Sequence, residues 1–193
     1  MGPRKEVTTI QGVDFTKDAT VVARKLIGMV LLVDGVGGTI VETEAYDQKE
    51  AASHAFRGLT EYNSVLFGPP GHAYVYLSYG IHWCLNFVCR EAGHGAGVLI
   101  RALEPTSGIP VMIKRRNQDN LRLLCSGPGR LGQALGVTRA LNGKRIDAPP
   151  FVLLPAEKSS RVVVGTRIGL SKAIERRWRF GLAGSRFLSA PFR

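Results

Sequence analysis

The residues best equipped for chemistry lie in VETEAY, Val41 to Tyr46, and in YVYLSYG, Tyr74 to Gly80. Read as a strand, VETEAY alternates, with Val41, Thr43 and Ala45 on one face and Glu42, Glu44 and Tyr46 on the other. Two carboxylates and a phenol then point the same way. A fixed carboxylate can orient and deprotonate a water, or stabilise positive charge growing on a substrate. The competing reading is the solvated face of a half-exposed strand. No Lys or Arg occurs from Leu26 to Gln48, although the chain as a whole carries a formal net charge of +11. The expectation is a carboxylate cluster without a cation beside it, an arrangement that keeps a glutamate basic.

In YVYLSYG, Tyr74 and Tyr76 share a face and Tyr79 falls near a turn. Such rings either pack in a core or present flat surfaces to other flat rings, and a tyrosine at a hairpin tip can serve as a wedge. His54, in AASHAF, is either a structural imidazole or a residue that returns to the pocket of Glu44.

Several elements must position these groups. Thr16 is the expected N-cap of a helix over KDATVVARKLIG, closed at Gly28. MVLLV reads as a buried strand, DGVGG as a turn and TIVETEAY as the returning strand. The segment from Glu50 to Gly71 is loop-like. AYVYLSYGIHWCLNFVC reads as a hairpin turning at Tyr79-Gly80, and AGVLIRALEP as a further strand. Helices are expected over SGIPVMIKRRN and GPGRLGQALGV, a strand over RVVVGTRIGL, and either form over KAIERRWRF. Strands and helices do not alternate regularly, so the fold class is α+β, a single domain around a largely antiparallel sheet.

Composition agrees with this. A length of 193 residues suits one domain, and 45% hydrophobic with 21% charged residues is a globular balance. LIGMVLLV is too short to cross a membrane, and MGPRKEVTT lacks the apolar core of a secretory signal, so a cytoplasmic protein without a membrane partner is expected. Residues 1–12 are expected to be flexible. Cys84, Cys89 and Cys125 have no zinc-like spacing and read as buried free thiols. The basic residues gather between Lys114 and Arg145 and between Arg161 and Arg186, with arginine in excess. The flat guanidinium suits phosphate, which makes nucleic acid the leading partner.

VETEAY, then Ser53-His54, GHAYVYLSYGIHWCLN, VLIRALEP, SGPGRLGQALG and RIGLSKAIERRWRF follow one another in an order and spacing that resemble the alkyladenine (3-methylpurine) DNA glycosylase family. The likeness runs from Val13 through nearly the whole chain. It implies a curved antiparallel sheet with flanking helices and a protruding β-hairpin that inserts into DNA. The implied activity is removal of alkylated or deaminated purines from double-stranded DNA by hydrolysis of the N-glycosidic bond, after the nucleotide is flipped out of the duplex. By position in the motifs, Glu44 corresponds to the general base, and Tyr46 to a ring stacking on one face of the flipped base, with His54 and Tyr76 on the other. Asn86 corresponds to a side chain crowding guanine's exocyclic amine, Arg101 belongs to the site, and Tyr79 fills the place the base leaves. The resemblance implies a monofunctional enzyme, a monomer associated with the bacterial nucleoid, needing no cofactor and no metal. Tyr62-Asn63 stands where relatives often show Arg-Asn, which puts a phosphate contact there in question, and Ile81 replaces a Met found in some relatives.

Two other readings compete. Glu42, Glu44 and Asp47 could hold Mg²⁺ in a nuclease, or the protein could stack bases and bend DNA without catalysis. A zinc deaminase is disfavoured by the missing Cys-x-x-Cys element.

Overall fold

A two-residue turn sets the register of the sheet's first hairpin. Asp34 and Gly35 both take positive φ, 49° and 76°, as a tight hairpin turn requires. This turn joins Val30–Val33 to Val36–Asp47, the strand that carries Glu42, Glu44 and Tyr46. The computed structural model describes residues 8–157 and 159–192; of the N-terminal segment expected to be flexible, residues 1–7 lie outside them. In chain order the elements are β1 (Thr9–Ile10), β2 (Val13–Asp14), α1 (Ala19–Leu26), β3 (Val30–Val33), β4 (Val36–Asp47), β5 (Ala73–Ser78), β6 (His82–Val88) and β7 (Ala96–Ser107). They continue with α2 (Ile109–Arg116), α3 (Leu121–Leu124), α4 (Pro128–Leu135), β8 (Phe151–Leu154), β9 (Val162–Gly165) and β10 (Arg179–Leu182).

β1 and β2 form a small ladder of their own. The other eight strands make one curled sheet in the order β5-β6-β7-β4-β10-β9, with β3 also paired to β4 and β8 to β3. Every pairing is antiparallel. This is the α+β single-domain class expected from the sequence. Strand β4 is its centre, pairing with β7 along one edge and with β3 and then β10 along the other. Helix α1 lies over β4, where the Thr43 hydroxyl donates to the Ala23 carbonyl at 3.0 Å. The main core gathers Phe15, Leu26, Leu31, Ile40, Phe87 and Ile100 between the sheet and the helices. Cys84, Cys89 and Cys125 are free and buried, as expected. Among the described residues no helix is long and apolar enough to cross a membrane.

Several boundaries differ from the sequence reading. Helix α1 starts after Asp18, because the Thr16 hydroxyl and N–H both donate to the Asp14 carboxylate, at 2.6 and 2.9 Å. Thr16 is therefore spent on a local turn. DGVGG is not a long turn: the strand resumes at Val36. Gly37 and Gly38 are strand residues, since a Cβ on either would stand 1.9 Å from a backbone carbonyl, of Leu31 and of Glu104 respectively. RVVVGTRIGL is strand only to Gly165, and the next strand begins at Arg179.

The hairpin β5–β6 turns where expected. Tyr79 and Gly80 take φ of 51° and 70°, and Ile81 N–H donates to the Ser78 carbonyl at 3.1 Å. Tyr79 and Ile81 stand out at the tip, 88% and 70% exposed.

Replacement of Gly38 by Ala forces the β4–β7 ladder apart at the sheet's longest pairing. Gly38→Ala is expected to lower unfolding free energy by about 1–3 kcal/mol, the usual cost of overpacking, read from urea denaturation at unchanged slope.

Candidate active site

Strand β4 would be costly to fold if its carboxylates were alone. Glu42 and Glu44 are wholly buried, and an unpaired ionised carboxylate out of water costs several kcal/mol even after relaxation. The expectation of a cluster without a cation is overturned here. The β4–β7 register slips between Ile40 and Glu42 and slips back between Glu42 and Thr43, leaving Val41 and Arg101 without partners in the ladder. This bulge also breaks the expected alternation. Val41 leaves the side of Thr43 and Ala45 and packs with Ala102 and Phe187 in a cluster separate from the main core.

Arg101 reaches both glutamates. Its Nε donates to Glu42 Oε1 at 3.0 Å, and one terminal nitrogen stands 3.3 Å from Glu44 Oε2. Arg179 on β10 donates through Nε to Glu42 Oε1 at 2.7 Å. Ser189 adds its N–H and hydroxyl to Glu42 at 2.6 and 2.8 Å. Two buried carboxylates thus meet two buried guanidiniums, supplied by the strands flanking β4. Glu42 is saturated and structural.

Glu44 is held differently. Oε1 accepts the Ile168 N–H at 2.8 Å, and Oε2 accepts the Tyr46 hydroxyl at 2.7 Å. Burial, and then the adjacent Glu44 carboxylate, raise the Tyr46 phenol well above its ordinary pKa, so it stays protonated and donates. All three partners of Glu44, Tyr46, Arg101 and Ile168, line a cavity of about 480 Å³, although Glu44 itself is covered by them. That size suits a small-molecule site.

The cavity also takes in His54, Tyr76, Asn86 and, at its outer edge, Tyr79, so every site residue expected from the sequence meets there or lies directly beneath. The His54 Nδ1 lies 3.1 Å from the Tyr74 hydroxyl, and its ring sits 4.4 Å from that of Tyr76 at 72°. In that geometry only one of the two can lie flat on a given ring. Burial lowers the pKa of the His54 imidazole and favours the neutral form, although the residue as a whole keeps contact with solvent. Burial likewise raises the Tyr76 phenol. Asn86, paired across the hairpin with Tyr74, donates from Nδ2 to the Tyr74 carbonyl at 3.2 Å.

Sequence reasoning missed the supports. Asn63 is buried and donates from Nδ2 to the carbonyls of His54 and Gly58, at 2.9 and 3.0 Å. It is a loop anchor, and its neighbour Tyr62 is exposed at the cavity. Arg167 and Glu50 form a buried bidentate pair at 2.6 and 2.9 Å. Arg167 also donates to the Ala45 carbonyl at 3.0 Å, and its guanidinium lies 4.7 Å from the centre of the Tyr46 ring. The one available signal was an arginine immediately before the cavity residues Ile168 and Gly169.

The carboxylates proposed for Mg²⁺ are otherwise engaged. Glu42 serves two guanidiniums and Asp47 binds His94 Nε2 at 2.8 Å. Among the described residues no group of three or more His, Cys, Asp or Glu is placed to hold a metal ion.

A flat-walled cavity over a held carboxylate, in a basic α+β domain, matches the class of the DNA glycosylases, and comparison with known proteins identifies the group within it. Residues 13–186 match the family described as Methylpurine-DNA glycosylase (MPG). The chain is 63% identical over 181 residues to a protein of Nitrosospira multiformis, covering 94% of each. It is 57% identical over 178 residues to one of Rhodopseudomonas palustris, covering 92% of this chain and 89% of that one. It is 60% identical over 172 residues to one of Nitrobacter winogradskyi, covering 89% and 83%. All three carry the name "Putative 3-methyladenine DNA glycosylase". The chain belongs to the methylpurine-DNA glycosylase family, whose work is the repair of damaged bases by excision.

Arg179→Met leaves Glu42 buried with one guanidinium instead of two. The loss expected is about 3–5 kcal/mol, the cost of breaking a buried pair, measured by thermal and urea unfolding.

Proposed function

We propose that this chain flips alkylated or deaminated purines out of duplex DNA and hydrolyses the N-glycosidic bond with a water activated by Glu44. The observation that carries the reading is the arrangement of Glu44: alone among the buried glutamates of the site, its partners are the cavity wall itself. Glu42 and Glu50 are consumed by arginines. At 3.3 Å the Arg101 nitrogen is too distant for a strong hydrogen bond to Glu44, so this carboxylate keeps capacity for a water.

The purine lies against Tyr46, with Tyr76 or His54 across from it, and Asn86 meets its edge. Seating the base moves the Tyr46 hydroxyl off Oε2, which opens Glu44 to water only when substrate is present. The water oxygen forms a bond to the anomeric carbon, its proton passes to Glu44, and the base leaves with the electron pair of the broken C–N bond. Among the described residues no lysine lines the cavity, which supports water as nucleophile and an abasic site as product, without strand cleavage.

Flipping costs a few kcal/mol of pairing and stacking. Stacking on the cavity rings returns about 1–3 kcal/mol each, and the basic surface supplies phosphate contacts. Tyr79, at the exposed tip, fills the gap in the duplex. One chain holds cavity, carboxylate and hairpin, so the reading needs a monomer only, acting on the chromosome in the cytoplasm.

The test incubates the protein with EDTA on duplexes carrying 3-methyladenine, 7-methylguanine, hypoxanthine or ethenoadenine, followed by alkali to reveal abasic sites. Excision is expected with the chelator present. Glu44→Gln should lower the single-turnover rate at least about 10²-fold, the lower range for losing a general base, while lesion binding survives; a near-normal rate would remove Glu44 from the mechanism. Tyr79→Ser should weaken binding to lesion duplex, and unchanged affinity with unchanged flipping would refute the wedge.

A further inference from the structure

The mechanism leaves one buried charged pair unused. Arg167 and Glu50 have fully buried side chains, joined by two bonds of 2.6 and 2.9 Å. The pair is not needed to neutralise Glu42 or Glu44, which have their own guanidiniums. Nor is it fully satisfied, because Arg167 Nε has no partner. Burying it is expensive, and an apolar pair of the same volume would often be as stable.

Its position is the telling feature. The guanidinium lies over the ring of Tyr46, 4.7 Å from its centre. Tyr46 lines the cavity and Arg167 does not, so the cation sits behind the ring and the cavity lies in front. Glu50 takes both terminal nitrogens of the guanidinium, whose carbon also lies 5.3 Å from the centre of the Trp178 ring. The same arginine grips the Ala45 carbonyl between Glu44 and Tyr46.

We infer that Arg167, through its charge behind the Tyr46 ring, sets how strongly the cavity prefers positively charged purines over neutral ones. This rests on the reading that Tyr46 stacks on the flipped base. An aromatic face attracts a cation through the negative potential of its π-cloud. A guanidinium on the back face draws on that same potential and repels a second cation in front. Loss of a neutral purine's stacking would be slight by comparison. The pair therefore tempers a preference for methylated cations and brings neutral damaged purines within the cavity's range. Arg167 is a positioning and tuning residue and touches no reacting atom.

The experiment compares single-turnover excision of 7-methylguanine, cationic as the nucleoside, with hypoxanthine, which is neutral, in the same duplex. Glu50→Gln/Arg167→Gln removes both charges and is expected to raise the cationic-to-neutral rate ratio about two- to five-fold, the size of one modest cation–π contact. Arg167→Lys keeps the charge and should hold the ratio near that of the parent. Glu50→Gln alone leaves the cation uncompensated and should move the ratio the other way, which provides an independent reading if the double variant does not fold. Equal loss on both substrates, or an unchanged ratio, would show a purely structural pair and overturn the inference. A parent protein that excises neither base would instead overturn the glycosylase reading.

Discussion

The structure depends on keeping three glutamates out of water, two on the central strand β4 and one just beyond its end. Glu42, Glu44 and Glu50 are all buried, and none is tolerable there without donors. Each is met by groups from distant parts of the chain: Arg101 from β7, Arg179 from β10, Arg167 and Ile168 from the turn before β10, and Ser189 from the C-terminal segment. Those contacts tie the C-terminal quarter of the chain to β4. The interior of the site is near electrical balance, with carboxylates and guanidiniums in equal number.

Balance does not make the three glutamates equivalent. Glu42 accepts from two guanidiniums, a hydroxyl and an amide, so its oxygens are committed to structure. Glu50 is locked in a bidentate pair. Glu44 shares Arg101 at arm's length and otherwise accepts one amide and one phenol. A buried carboxylate needs a cation within reach, and the one beside Glu44 is mainly occupied elsewhere. Arg101 answers that description: it keeps the burial of Glu44 affordable while its shorter bond goes to Glu42.

The legible part of this was local. The hairpin at Tyr79-Gly80, the strand nature of VETEAY and the shared direction of Glu42, Glu44 and Tyr46 follow from period and turn chemistry. So does the grouping of His54, Tyr76, Asn86 and Arg101 once the family likeness is granted. The illegible part was register. One unpaired residue on each strand, Val41 and Arg101, turns the Val41 side chain to the other face and lets Arg101 reach two carboxylates. No property of residues 26–48 announces this, because the cation-free stretch in sequence is not a cation-free place in space. Likewise Gly37 and Gly38 look like turn residues, yet their glycines answer carbonyls of β3 and β7 that only the folded sheet brings near. Asn63 and Arg167 act through backbone carbonyls and ring faces, contacts that residue type alone does not encode.

The hairpin tip shows what the fold gives up to keep one side chain. A non-glycine residue in the left-handed region costs roughly 1–2 kcal/mol, and Gly, Asn or Asp would occupy such a turn at less expense. Tyr79 instead holds φ at 51° with its ring 88% exposed, next to an exposed Ile81. Neither backbone geometry nor core packing rewards that choice in the isolated protein. Gly80 and the Ile81–Ser78 hydrogen bond hold the turn, so the ring projects from a fixed backbone and little main-chain freedom is lost when it meets a partner. A residue unfavourable to its own turn and unburied in its own fold is rewarded by nothing inside the chain, and the proposed role as a wedge in a duplex would supply that reward from outside it.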